Sequence, residues 1–280
     1  MRRIGFAFNP TKPEALELCD RALKWCASHD IDAWSSESGD TPTMVEALTG
    51  TDGLVVLGGD GTFLRATRAI AVVDVPVLGI NSGRIGFLSK VEPEALERTL
   101  EDLAVDNFAI ESRMMLEATV HRAGGAGEPA ESIAALNDAA IVRGAEVRVM
   151  HLEVSIDQSH LANYVADGIV VSTPTGSTAY SFSAGGPILD PTARNLIVTP
   201  IAAYLSSIRS IVVSPSHTVR VRLIDGASGL VSIDGRENYP IDIGDEVEIK
   251  ALARPIRFIE PPDALPFWEL LRQKAALLPA

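Results

Sequence analysis

Apolar runs and helix-spaced apolar stripes alternate along the first third of the chain. Ile4 to Phe8 is an apolar run ending at Asn9-Pro10, and Pro13 to about Ser28 repeats apolar residues at helical spacing through Leu16, Leu23 and Ala27. A strand and then a helix are predicted. Ile31 to Trp34 predicts a second strand, Thr41-Pro42 opens a helix through Leu48, and Gly53 to Leu57 predicts a buried strand. Phe63 to about Ala71 is compatible with a helix, Pro76 to Ile80 with a strand, and Pro93 to Leu103 with one more helix. Strand–helix alternation of this kind predicts a parallel sheet.

After about Asp106 the pattern changes. Strand-like segments follow without long helices between them: Phe108 to His121, Ile133 to Arg143, Val149 to Ile156, Ile169 to Ser172, Ile208 to Val213, Val219 to Ile224, Leu230 to Ile233 and Val247 to Leu252. Many short strands predict a sandwich-like unit. Gly124 to Gly127, followed by Pro129, reads as a flexible hairpin connection. From Asp263 the tail reads as an amphipathic helix with Phe267, Trp268, Leu271 and Ala275 on one stripe, a face that must pack on something. The expected division is an α/β domain over 1–105, completed by 263–280, and a β-rich domain over 106–262.

Two turns lie at the carboxyl ends of predicted parallel strands, where open α/β sheets place ligands. The first is Gly58-Gly59-Asp60-Gly61-Thr62. Its glycines allow a sharp turn and close backbone approach, and the following helix offers unpaired N–H groups, so a phosphate is the natural guest. Asp60 would repel that phosphate unless it binds a metal ion or accepts a proton from a substrate. The alternative is that Asp60 or Thr62 only caps the helix. The second turn is Asn81-Ser82-Gly83-Arg84-Ile85-Gly86-Phe87.

The β-rich part carries two further stretches. In Leu136-Asn137-Asp138 an amide and a carboxylate follow apolar residues, a pair able to hydrogen-bond ribose hydroxyls and a base edge, although Asn-Asp pairs commonly serve turns. Asp167-Gly168 then leads into a segment with seven hydroxyl-bearing residues between Ser172 and Ser181, ending near Gly185-Gly186-Pro187. Tyr180 adds an aromatic face for a base.

Charge narrows the classes. A formal net charge of −13 over 280 residues argues against a broad surface for nucleic acid or anionic membrane. No apolar stretch approaches the ~20 residues of a membrane span and no signal-peptide core follows Met1, so a cytoplasmic address is expected. Cys19 and Cys26, seven apart on one predicted helix, suit neither a disulfide within it nor a complete zinc site. The five histidines, at 29, 121, 151, 160 and 217, are scattered. Walker-type loops, nucleophile elbows and His-Glu-x-x-His pairs are absent.

Taken together, these motifs resemble the NAD kinase family. Gly58 to Thr62 alone is also similar to a motif of diacylglycerol-kinase-like lipid kinases and, loosely, of 6-phosphofructokinases. Asn137-Asp138 and the stretch Asp167 to Pro187 separate them, and Asn81 to Leu88 and Phe267-Trp268 resemble further family segments, so the likeness runs from about Arg3 to Leu278. It implies an α/β N-terminal domain, a β-rich C-terminal domain, a C-terminal helix returning to the first, and a homodimer or homotetramer. It also implies that Asp60 is catalytic and that Gly59, Gly61 and Thr62 form the pyrophosphate-side loop. Asn137 and Asp138 would contact adenine and ribose, and Asp167, Thr175, Thr178, Ala179 and Tyr180 would surround the dinucleotide, some of them across a subunit interface. Val165 stands where many members have Arg, which bears on NAD against NADH. Asp234-Gly235-Arg236 stands where glutamine often follows Asp-Gly, and reads as a hairpin turn first and a site second.

The implied substrates are NAD and either ATP or polyphosphate. Phosphoryl transfer to a sugar hydroxyl needs an oriented nucleophile, a base and neutralised phosphate charge. Asp60 is the base candidate. With few basic residues near the motifs, neutralisation falls to backbone N–H groups and a divalent cation, Mg²⁺, not held by an identifiable all-protein site. A lipid kinase and a non-catalytic dinucleotide sensor are the competing readings.

Overall fold

The computed structural model of the chain describes residues 1–83, 85–124, 131–145, 148–204 and 208–276. The expected loop at Gly125 to Pro129 and Arg84 of the second turn lie outside them, as do the last four residues. In chain order the elements are β1 (Arg3–Phe8), α1 (Pro13–Ser28), β2 (Asp32–Glu37), α2 (Thr41–Leu48), β3 (Gly53–Leu57), α3 (Asp60–Val72) and β4 (Val77–Ile80). A 3-10 turn over Pro93–Ala95 leads into α4 (Leu96–Ala104), then β5 (Ala109–Arg113). There follow β6 (Leu116–His121), β7 (Glu131–Ala135), β8 (Asp138–Arg143), β9 (Met150–Ile156), β10 (Ser159–Ala166) and β11 (Gly168–Ser172). A 3-10 turn over Thr175–Thr178 and the short α5 (Tyr180–Ser183) precede β12 (Leu196–Ile201), β13 (Ile211–Val213), β14 (Val219–Gly226), β15 (Gly229–Ile233), β16 (Glu237–Ile241) and β17 (Glu246–Ala251). The chain closes with β18 (Ile256–Glu260) and α6 (Phe267–Ala276).

Two compact units result, Met1–Ser112 with the chain from Ile256 onward, and Arg113–Pro255. The first unit holds one sheet in the order β2-β1-β3-β4-β18-β5. β1 pairs in parallel with β2 and β3, and β4 with β3 and β18. The order therefore reverses direction at β1 and β3, the switch point where such sheets leave a crevice beyond the strand ends. Every residue of β3 and β4 is buried, which is why both read as continuous apolar runs rather than alternating ones. Leu57 is level with Ile80 and Gly58 N–H donates to the Ile80 carbonyl at 2.8 Å, so the two candidate turns start side by side.

Two helix faces differ from the sequence pattern. α1 buries Ala15, Leu18, Cys19, Ala22 and Cys26, while Leu16 is 41% exposed. The small residues let the helix lie close on the sheet, a preference that a count of large apolar residues overlooks. Burial pushes the Cys26 thiol up to about 11 and raises that of Cys19. α6 turns Leu270 inward and leaves Trp268 54% exposed. No helix among the described residues is long and apolar enough to cross a membrane.

The second unit stacks two six-stranded sheets, β10-β9-β14-β17-β6-β7 and β13-β12-β11-β8-β15-β16. Their inner faces share one apolar core, with Leu116, Val154, Val221 and Ile249 from one sheet and Ile141, Ile169, Val198 and Val231 from the other. This is the sandwich expected from many short strands. The sequence pattern passed over β10, β12, β16 and β18. Pro200 and Pro240 disguise two of them: β13 pairs with Leu196 to Val198, so Pro200 lies past its end, and Pro240 sits on the edge strand β16.

Candidate functional site

In the first unit β3 passes directly into α3, which begins at Asp60 with Gly59 as its N-cap. Gly58 has φ +147, and a Cβ there would stand 2.5 Å from Thr62 Oγ1, so the turn needs glycine. Nothing lies within 4 Å of where a Gly59 Cβ would be, which leaves the helix N-terminus open to a ligand. Asp60 does not cap the helix. Its carboxylate accepts from three successive backbone N–H groups of the second turn: Phe87 to Oδ2 at 2.9 Å, and Leu88 and Ser89 to Oδ1 at 3.0 and 3.2 Å. A Cβ on Gly86 would collide with that carboxylate, which makes Gly86 a condition of the contact.

The second turn is held from its other side. Lys274 of α6 donates to the Ile85 carbonyl at 2.7 Å and sits 5.1 Å above the Phe87 ring, which in turn packs on Phe267 at 6.0 Å between centroids. α6 thus returns to the first unit through the loop that Asp60 grips. Sequence reasoning found few basic residues near the motifs and missed Arg65. Its guanidinium donates to Thr62 Oγ1 at 3.3 Å and to Ser38 Oγ at 2.9 Å, from a position on α3 one helical turn after Thr62. The i, i+3 spacing of Thr62 and Arg65 was the available signal. No group of three or more His, Cys, Asp or Glu that could hold a metal ion occurs among the described residues, and the Asp60 oxygens are already largely occupied.

In the second unit a cavity of about 650 Å³ is lined by Asn137, Asp138, Arg143, Asp167, Ala179 and Tyr180, with Asp234 and Gly235 at its wall. Five of the residues singled out from sequence are thereby brought together. Thr175 and Thr178 do not line it. Thr175 is buried with Oγ1 unpartnered, and Thr178 Oγ donates to the Thr175 carbonyl at 3.4 Å. Gly176 abuts the Asn137 carbonyl so closely that a Cβ would overlap it, and Thr173 N–H donates to that carbonyl at 2.8 Å. Arg143, on β8, pairs with Asp167 at 3.0 Å. Tyr180 is 42% exposed, so its ring is available to a ligand rather than spent in the core.

The electrostatics of this cavity centre on Asp138, which is buried, and Asp234, which is half-buried. Burial and the neighbouring Asp234 charge push the Asp138 carboxyl up to about 7. Asp234 is also raised, because burial outweighs the backbone N–H groups that favour its charged form. At neutral pH the pair can therefore keep a proton, with Asp138 able to donate or accept. Asp234 is the residue whose place the sequence understated. Its turn between β15 and β16 is the expected hairpin, but the carboxylate faces inward.

A glycine turn with an open helix N-terminus on a parallel sheet, and a polar cavity suited to sugar hydroxyls and a base, define a nucleotide-handling protein of two units. The chain belongs to the NAD kinase family. The ATP-NAD kinase N-terminal domain matches residues 26–108 and the ATP-NAD kinase C-terminal domain residues 136–261. The NAD kinase of Symbiobacterium thermophilum is 45% identical over 225 residues, 80% of this chain and 78% of its own. That of Moorella thermoacetica is 37% identical over 285 residues, covering 98% and 89%. Yeast NADH kinase complexed with NADH superposes with a TM-score of 0.84 over 99% of this chain and 87% of that one, at 23% identity, a likeness of fold. An Archaeoglobus fulgidus NAD kinase in complex with ATP gives 0.77 over 99% and 100%, at 24% identity.

Proposed function

We propose that the chain phosphorylates the 2′-hydroxyl of the adenosine ribose of NAD to give NADP, taking the terminal phosphoryl group of ATP or another donor such as polyphosphate. The observation that carries this reading is the family match over both units, at high coverage of full-length NAD kinases. Neither the lipid-kinase nor the sensor alternative finds support in it. The donor phosphates lie at the glycine turn, on Gly59, Gly61, Thr62 and the α3 N-terminus, with Arg65 close by. The adenosine occupies the cavity, its hydroxyls and base edge met by Asn137, Asp138 and Asp167. Tyr180 stacks on the base beside Ala179, and Thr175 and Thr178 support this wall from behind.

Asp60 is the general base. A carboxylate offers about four lone-pair sites, and three are engaged by the second turn, leaving one on Oδ2. That oxygen takes the 2′-hydroxyl proton as the ribose oxygen bonds to the terminal phosphorus and the donor's bridging P–O bond breaks. A divalent cation held by the donor phosphates themselves would supply neutralisation of their charge, beside the backbone N–H groups of the glycine turn. The enzyme works in the cytoplasm as a homodimer or homotetramer, with part of the acceptor site supplied across a subunit interface, as the resemblance implies. A matrix of NAD or NADH against ATP or polyphosphate with Mg²⁺ tests the reading. NADP from NAD and ATP is expected, and donor consumption without a phosphorylated dinucleotide would refute it. The NADH column reads the consequence of Val165.

A further inference from the structure

Asn137 belongs to the two-residue link between β7 and β8, and Asp138 is the first residue of β8. What fixes it comes from far along the sequence. Asp234 Oδ1 accepts from the Asn137 N–H at 2.7 Å and the Asp138 N–H at 3.1 Å, and Oδ2 accepts from the Leu136 N–H at 3.0 Å. Asp234 N–H donates back to the Asp138 carbonyl at 3.0 Å. Asp234 holds φ +50 without being glycine, ahead of Gly235 at φ +65, a left-handed conformation that Asp tolerates better than most residues but that the surroundings must enforce. A half-buried carboxylate on a left-handed backbone, spent on three N–H groups of one tripeptide, is a costly way to close a hairpin that Asn-Gly would close as well.

We propose that Asp234 is a positioning residue for the nucleoside side of the reaction: its carboxylate grips the Leu136–Asp138 backbone and thereby aims the Asn137 amide and the Asp138 carboxyl into the cavity. The inference rests on the reading of that cavity as the NAD site. Its charge does a second thing. The Asp234 charge raises Asp138, while Arg236 favours the Asp234 anion, and the other charged or titratable groups around the cavity are Asp167, its partner Arg143 and the Tyr180 hydroxyl. Removing the Asp234 charge therefore lets Asp138 ionise at lower pH.

Two variants separate the carboxylate from the turn. Asp234→Gly keeps the positive φ open and deletes the acceptors, and Asp234→Asn keeps the shape and the left-handed tolerance while removing the charge. NAD binding by calorimetry from about pH 5 to about pH 8 and the KM values for NAD and ATP are the readouts, on the full chain. Both variants should weaken NAD by about ten- to a hundredfold, the range expected when a positioned group loses its support, with the KM for ATP unchanged. The proton-linked step in NAD binding near neutrality should move to lower pH in both. Unchanged NAD affinity and pH profile in either folded variant would overturn the proposal, and so would equal losses for NAD and ATP, which mark a merely structural role. Wild-type chain that fails to bind NAD would overturn the cavity reading itself, a failure seen before any variant is made.

Discussion

Two carboxylates in this chain perform the same physical task, each collecting three consecutive backbone N–H groups from a loop distant in sequence. Asp60 does so for Phe87, Leu88 and Ser89, and Asp234 for Leu136, Asn137 and Asp138. Gly86→Ala tests the first without touching the charge: the new Cβ meets the Asp60 carboxylate and must displace it or the loop. A fall in kcat of at least tenfold is expected, with NAD affinity by calorimetry nearly unchanged. Asp138 gives a pH prediction. Its folded value of about 7 exceeds the ordinary 3.8, so its contribution to stability is fully present below about 4 and lost as pH rises through 7. Thermal midpoints should therefore fall between about pH 5 and about pH 8, and Asp138→Asn should flatten that slope, an effect of roughly 2–3 kcal/mol across that window. At this scale the sequence named the cavity residues, since Asn137, Asp138, Asp167, Ala179 and Tyr180 sit in recognisable motifs. It could not name the partners of Asp234, because they lie 96 to 98 residues away and nothing local encodes them.

At the scale of elements, legibility followed burial. β3 and β4 are buried on both faces and read as unbroken apolar runs, whereas β10 and β16 face solvent and break their alternation with polar residues and proline. Helix existence was readable and helix facing was not, as α1 and α6 both demonstrate, because small residues and a single leucine set the buried side. α6 matters to function through the second turn. Lys274 and Phe267 clamp Ile85 and Phe87, and Phe87 N–H is one of the three donors to Asp60. Lys274→Met should lower kcat by about tenfold or less while leaving the KM for NAD alone, a split that steady-state kinetics reads directly. Equal changes in both parameters would mean that α6 supports the fold of the unit rather than its loop.

On the proposed function the labour is divided between the parallel α/β unit, whose glycine turn takes the phosphates beside a fixed carboxylate, and the antiparallel sandwich, whose cavity takes the nucleoside. NAD binds the folded state alone, so it should raise the thermal midpoint with occupancy, and Tyr180→Ala should reduce that shift by weakening affinity roughly tenfold or more. If part of the acceptor site comes from a second subunit, dilution should lower specific activity, and a fully active monomer in sedimentation would contradict the shared site. The central claim is that NADP is made and that Asp60 takes the proton. The rate of NADP formation by Asp60→Asn, beside wild type at saturating NAD and ATP with Mg²⁺, tests it most directly. Asn leaves an amide facing one of the three N–H donors, so a stability loss of about 1–3 kcal/mol is expected, small enough for the variant to fold. The prediction is steady NADP production by wild type and a kcat lower by about 10²–10⁴-fold in the variant; a wild type that forms no NADP, or a variant that forms it at a near-normal rate, would contradict the account.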